Sequence, residues 1–369
     1  NVSPVSPALA LTVDTAAPAA PTGVTVTDDV APVTGAIAAN GASNDNKPTF
    51  AGAAGSAEAG STITVMDGAT VLGTAVVAAD GSWSVTPTTA LADGAHSITT
   101  RATDAAGNVS PVSPALALTV DTVAPTTTAS VTAIRDDVGA IKGTVASGGV
   151  TDDTSLVVSG TLSTGLITGE RVRIYDGSSY LGDATVSGTS WTYADSRTLT
   201  DGQSVSYTAR VSDPAGNQSA AGTAYTATVD TVAPTTTASV TAIRDDVGAI
   251  KGTVASGGVT DDTSLVVSGT LSTGLITGER VRIYDGSSYL GDATVSGTSW
   301  TYADSRTLTD GQSVSYTARV SDPAGNQSAA GTAYTATVDT LDTFTWGGET
   351  HALNLVARVN AQDGKTYYA

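Results

Sequence analysis

Residues 121–229 and 230–338 are identical at all 109 positions, and residues 14–120 are a diverged copy 107 residues long. Repetition on this scale dictates a tandem of like domains, because a unit of about 100 residues can bury a core of its own. Landmarks align across the three copies: "ITVMDGATVLG" with "VRIYDGSSYLG", "GSWSV" with "TSWTY", and "ATDAAGN" with "VSDPAGN". Each unit opens on a refrain, "VDTAAP" at 13–18 and "VDTVAP" at 120–125 and 229–234, while a fourth reads "VDTLDT" at 338–343. Residues 1–13 repeat 108–120 letter for letter. They are expected to be the final strand of a preceding repeat whose body lies outside this sequence.

Within 121–229, β-branched and alternating runs are bounded by Gly, Asp, Asn and Ser clusters, the signature of short strands. Seven are predicted: A near 127–135, B 156–162, C 170–175, C′ 180–187, E 190–198, F 203–212 and G 220–229. Asp176–Gly177 and Asp201–Gly202 are turn signals. Trp83, Trp191 and Trp300 open strand E of their units and read as core aromatics between two sheets. Ala, Thr, Ser, Val and Gly dominate the composition, which favours strands over helices. The expected fold is all-β: tandem immunoglobulin-like antiparallel β-sandwiches arranged as an elongated rod. Repeats are expected at 14–120, 121–229 and 230–338, with 339–369 a tail or the start of a different β module.

The chain has no cysteine, which excludes a disulfide scaffold and thiolate metal sites. A net charge of −19 argues against nucleic acid as a partner. No apolar run approaches the roughly 18 residues needed to span a bilayer, so no membrane insertion is expected of this segment.

Strand counting places the acids. The A–B loop lies at the far pole of each sandwich, and the F–G loop returns to the pole where the chain enters. Between the first and second units, Asp28, Asp29 and Asp45 are thus expected from below, Asp121 in the linker, and Asp213 with Asn217 from above. Between the second and third, the corresponding set is Asp136, Asp137 and Asp153, then Asp230, then Asp322 with Asn326. The upper half recurs before the first unit as Asp14, Asp104 and Asn108. The lower half recurs after the third as Asp245, Asp246 and Asp262 with Asp339, where no matching "DPAGN" loop follows. Several carboxylates in one joint repel one another unless a cation sits among them. Oxygen ligands without His or Cys suit a hard cation, and Ca²⁺ tolerates the irregular geometry of loops. Turn capping by Asp and Asn is the competing account of each residue taken singly. Pro125 and Pro234 stiffen the entry into each following unit.

"VDTVAP", "DDVGAIKGTVASGGVTDDT" and "DPAGN", in fixed order over residues 1–340, resemble the tandem bacterial Ig-like repeats of giant biofilm-associated and RTX-type adhesins exported by type I secretion. The resemblance implies an extracellular or cell-surface extender region, rigidified by Ca²⁺ at domain junctions, that supports adhesion and biofilm formation. It implies neighbouring repeats as partners, and other cells, surfaces or matrix through domains outside this segment. The first unit departs from the pattern at "SNDNKPTF" (43–50), where Asn44 replaces the first acid of "TDD" and leaves Asp45 as the firmer ligand.

Two alternatives compete. One is a carbohydrate- or cell-surface-binding module using Tyr175, Tyr180, Tyr193 and their copies. The other is a fibre subunit in which 1–13 completes a neighbouring molecule's sheet. No catalytic constellation is recognisable: His96 lacks a nucleophile partner and aligns with Ser204 and Ser313, and His351 lies in the tail. In the tail, alternation around Leu353, Leu355, Ala357 and Val359 predicts a strand, and "QDGK" a turn.

Overall fold

The computed structural model describes residues 5, 7, 9–248 and 251–340, together with the backbone of 342–346, 349–353, 357–359 and 366–368. The chain forms two compact units. One comprises Asn1–Thr132, Ser159–Tyr193 and Tyr207–Ala224, and the other Ala133–Val158, Ala194–Ser206 and Tyr225–Ala369. The first repeat therefore lies wholly in one unit and the third in the other, with the boundary inside the second.

In the third repeat two sheets face each other. The first orders its strands as Gly252–Val254, Ala238–Asp245, Val266–Leu271, Ser299–Ala303 and Thr294–Ser296. The second orders them as Gly258–Thr260, Tyr334–Val338, Ser313–Ser321, Arg280–Asp285 and Ser288–Asp292. Alternation along Ser313–Ser321 sends Val314, Tyr316, Ala318 and Val320 inward, as a half-buried strand requires. They meet Ile243, Val267, Leu271, Ile283 and Trp300 in one core. The first repeat is built alike, with Phe50, Ile63, Val65, Trp83, Ile98, Leu118 and Val120 at its centre. The second has the same succession of strands, from Ala129–Asp136 to Tyr225–Val229.

The tryptophans are core residues, and each faces a glycine on strand B: Gly52 pairs with Trp83 and Gly269 with Trp300. A Cβ on Gly269 would collide with the indole and with the Ser239 carbonyl. That collision explains a glycine in mid-strand, where it otherwise weakens a sheet.

Two expectations are corrected. The A–B segment, read as loop, contains two short strands, Gly143–Val145 and Gly149–Thr151. The latter pairs in parallel with Tyr225–Val229, so the sandwich is not purely antiparallel. These strands were hidden by length and by glycine, since three residues carry too little periodicity to register. The single C′ strand is two: Ser179–Asp183 stays with strand C, whereas Thr185–Ser187 pairs with the tryptophan strand of the other sheet. Among the described residues of 1–13 none is assigned to a strand, while the same letters form Leu116–Val120 of the first repeat.

In the tail, Asp342–Trp346 pairs with Glu349–Leu353, and Ala357–Val359 with Thr366–Tyr368. Of the strand expected around 353–359, Leu353 lies in the first of these pairs and Ala357 and Val359 in the second, and Leu355 lies outside the described residues. "QDGK" also lies outside them.

Candidate functional site

The joint between repeats is built from the A–B segment of one repeat, the linker, and the F–G turn of the next. Its upper half is the turn between strands F and G. In the second repeat Asp213 Oδ1 accepts from Asn217 N at 2.9 Å, and the Asn217 amide donates to Asp213 Oδ2 at 2.8 Å. The same amide donates to the Asp121 carbonyl at 2.8 Å, locking the turn to the linker. Asn326 repeats this with Asp322 and the Asp230 carbonyl at 2.9 and 2.7 Å. Asn108 does so with Asp104 and the Asp14 carbonyl at 2.8 and 3.1 Å. The upper half thus forms ahead of every repeat, whatever lies beneath it.

The lower half is the A–B segment. Asp136 Oδ2 accepts from the buried Thr151 hydroxyl at 2.6 Å, and its Oδ1 from Val138 N at 3.1 Å. Asp153 Oδ1 accepts from Ser155 N at 2.7 Å, and its Oδ2 from Asp137 N at 3.4 Å. Asp28 and Asp45 make the same bonds with Ser43, Val30, Lys47 and Asp29. Asp245 and Asp262 make them with Thr260, Val247, Ser264 and Asp246. These are turn-capping roles, each carboxylate closing the backbone two residues on. Among the described residues none of the six forms an ion pair with Lys or Arg, and all six are buried. Burying a carboxylate without a cation is costly even when its hydrogen bonds are made.

The halves touch within each joint. Asn44 N donates to the Ala215 carbonyl at 3.0 Å, and Asp121 N to the Ser43 carbonyl at 3.0 Å. In the next joint Asp230 N donates to the Thr151 carbonyl at 2.8 Å, and Arg282 Nη1 to the Ala140 carbonyl at 2.9 Å. Arg282 is itself buried, its guanidinium 4.0 Å above the Tyr289 ring. The first joint carries Pro32 where the second carries Ala140, after a cis Ala31–Pro32 bond.

The residue that sequence reasoning undervalued is Asp152. Asp153, expected as a ligand, accepts from the Ser155 and Asp137 amides. Asp152 turns into the joint instead: its Oδ1 is buried with no hydrogen-bond partner. Burial, with the charges of Asp136 and of Asp322 from the third repeat, pushes its carboxyl up to about 6. Asn44 holds the same place in the first joint, and its Oδ1 is likewise buried and unpartnered. Alternation holds the clue. Thr151 and Asp153 point into their own sandwich, so the residue between them faces out of it. Among the described residues no three acidic or imidazole side chains converge at metal-ligand spacing. What the second joint holds is like charge and an orphaned oxygen.

His96 Nδ1 lies 2.7 Å from Asp67 Oδ2 and Nε2 lies 2.8 Å from the Ala92 carbonyl, leaving neither nitrogen for a substrate. Pairing Ala95 with Thr119, as Ser313 pairs with Thr337, puts His96 in the place of Val314, not Ser313. The sequence alignment was one residue off, because the copies differ in length upstream. Tyr175 and Tyr180 sit together, ring centroids 5.6 Å apart, with Arg173 stacked on Tyr180. Tyr193 is on a strand of the other sheet, its hydroxyl donating to the Leu181 carbonyl at 3.0 Å.

Sandwich architecture, three-fold repetition and a shared joint define the class: a tandem array of immunoglobulin-like β-sandwiches. Residues 20–122, the first repeat, match the family model of the bacterial Ig-like domain. Similar solved structures include fibronectin(III)-like modules of Clostridium thermocellum CbhA, 18% identical, with 56% of this chain and 94% of that one covered at a TM-score of 0.36. A tetra-tandem repeat from the extending region of a large adhesion protein is 20% identical, covering 94% and 78% at 0.20. A putative membrane-anchored protein from Corynebacterium diphtheriae is 10% identical, covering 86% and 95% at 0.24. No curated protein matches the sequence. No helix among the described residues is long and apolar enough to cross a membrane.

Proposed function

We propose that the chain is a non-catalytic extender segment of an extracellular bacterial adhesin, its joints stiffened by calcium so that adhesion domains elsewhere stand clear of the cell and support biofilm formation. On this reading the repeats at 14–120, 121–229 and 230–338 are the mechanical units, and their partners are one another. One observation carries the calcium part. At the second joint the buried Asp152 oxygen has no partner, and Asp136 and Asp322 crowd it with like charge from two repeats. An all-oxygen donor set of this charge fits a hard divalent cation. The ion would bind at the orphaned Asp152 oxygen, with Asp136 and Asp322 contributing charge nearby and Asp230 in the linker. The cation would cancel the repulsion that otherwise pushes the repeats apart. In the first joint Asn44 offers an oxygen without charge, so that site is weaker.

Calorimetric titration of the full chain tests this, carried to millimolar Ca²⁺ because extracellular modules of this kind bind at about 10⁻⁴–10⁻³ M. Asp152→Asn, which copies the first joint, should weaken the tightest class of site about tenfold. No binding heat at millimolar Ca²⁺, or an isotherm indifferent to the substitution, sinks the calcium reading.

A further inference from the structure

The first repeat ends one of its sheets on a strand that the other two repeats carry in a different form. Thr70–Val76 pairs with Thr62–Asp67 along its seven residues and forms the sheet's outer edge, with no strand among the described residues beyond it. Val71 and Val76 are 55% and 70% exposed, Thr70 and Thr74 are exposed too, and Leu72 turns into the core. In the second repeat the matching strand is shorter, Ser179–Asp183, and it carries charge. Strand pairing puts Tyr180 in the place of Val71 and Asp183 in that of Thr74, with Arg171 and Arg173 in those of Thr62 and Thr64. There the Asp183 carboxylate accepts from the Tyr180 hydroxyl at 2.7 Å and lies 3.3 Å from Arg171 Nη1. The third repeat keeps the same set at the same distances. Charge on an edge strand deters a further strand from pairing with it, and the first repeat is neutral at each of these places. Tyr180 and Tyr289 remain 45% exposed although a repeat packs ahead of each, so this flank stays open inside the array.

We propose that the Thr70–Val76 edge pairs antiparallel with the same edge of a second copy, joining two molecules side by side through their first repeats. Charge selects this occupant. The C′ edges of the two identical repeats would bring Asp183 or Asp292 into the new ladder, whereas another first repeat offers a strand as neutral as this one. The backbone supplies the hydrogen bonds, as in strand addition generally. A pair centred on Gly73 sets Thr70 against Val76 and Val71 against Ala75, β-branched or small residues suited to cross-strand contact. The contact uses one surface twice, so it closes as a dimer and does not propagate. A single strand pair buries less than the roughly 1,200 Å² of a standard interface, so the dimer is weak in dilute solution.

Sedimentation velocity on the full chain tests this from about 10 µM towards about 1 mM. About 0.5 M salt screens the repulsion between two chains of net charge −19. The weight-average sedimentation coefficient should rise with concentration and level off at the dimer value. Thr74→Asp installs the carboxylate that the other repeats carry and should weaken association about tenfold. Val76→Lys, at the most exposed position of the strand, should act alike, and both should leave the melting curve unchanged. Amide exchange along Thr70–Val76 should slow as concentration rises, a readout independent of either substitution. A coefficient independent of concentration overturns the proposal and leaves the edge to a strand of another protein or to none. Association that neither substitution weakens, or that grows past the dimer, overturns it as well. The pairing uses neither the joints nor calcium, so its failure leaves the proposed function standing, and absent calcium binding leaves the dimer standing.

Discussion

Asp152 and Asn44 occupy one position in two joints, and the exchange of an oxygen for an amide nitrogen removes one carboxylate from the first joint. His96 is a second residue that distinguishes the first repeat, standing where Val314 packs in the third. Burial opposes charge on its ring, but the bonds to Asp67 and to the Ala92 carbonyl outweigh it and hold the imidazole above its ordinary value. Asp67 is held below the usual carboxylate range by His96 and the Ser97 amide, also against burial. A raised histidine contributes stability that is complete below its unfolded value, about 6.5, and is lost as pH climbs through the folded one. A depressed aspartate contributes stability present above its unfolded value, near 3.9, and lost on acidification below it. The pair is therefore most stabilising between about pH 4 and 6.5. Thermal melts from pH 5 to 8 should show the first repeat losing stability with rising pH. His96→Val should flatten that dependence, and an equal slope in the variant would exclude the pair as its source. The sequence showed His96 but not its partner, since Asp67 lies 29 residues away and meets it only through strand pairing.

At the scale of elements, the F–G turn does two jobs that substitutions can separate. Gly325 has φ +110°, and a Cβ there would lie 3.1 Å from Ile141 N and 3.3 Å from Asp152 Oδ2 across the joint. Gly107 of the first repeat has φ +94° and open space around it. Gly107→Ala thus meets only the conformational cost, about 1 kcal/mol. Gly325→Ala adds tight contacts across the joint, a further cost of ~1 kcal/mol where the neighbours do not give way. Denaturant titrations should resolve the difference, and equal losses would mean that the joint yields freely to the added methyl. The long F and C strands were legible from alternation, and the tryptophan strand from its indole. The three-residue strands of the A–B segment were not, because their existence depends on strands from elsewhere in the sandwich. The same holds for C′, whose second half leaves one sheet for the other between Asp183 and Thr185.

For the molecule as a whole, the extender reading makes calcium a mechanical ligand. Small-angle scattering should give a larger maximum dimension and a narrower ensemble in excess Ca²⁺ than in chelator. Identical profiles in the two conditions would remove the stiffening role even if the ion binds. Read from the letters alone, this protein declares three copies of one unit, an all-β sandwich in each, and acids gathered where copies meet. Periodicity, turn chemistry and repetition are properties of short stretches, so sequence suffices for them. Only the tertiary structure decided which acid of each "TDD" faces the joint, because pleat direction is set by pairing with Tyr225–Val229. Only the tertiary structure set His96 beside Asp67 and Gly269 against the Trp300 indole, because such contacts are made by strand pairing and not by neighbours along the chain.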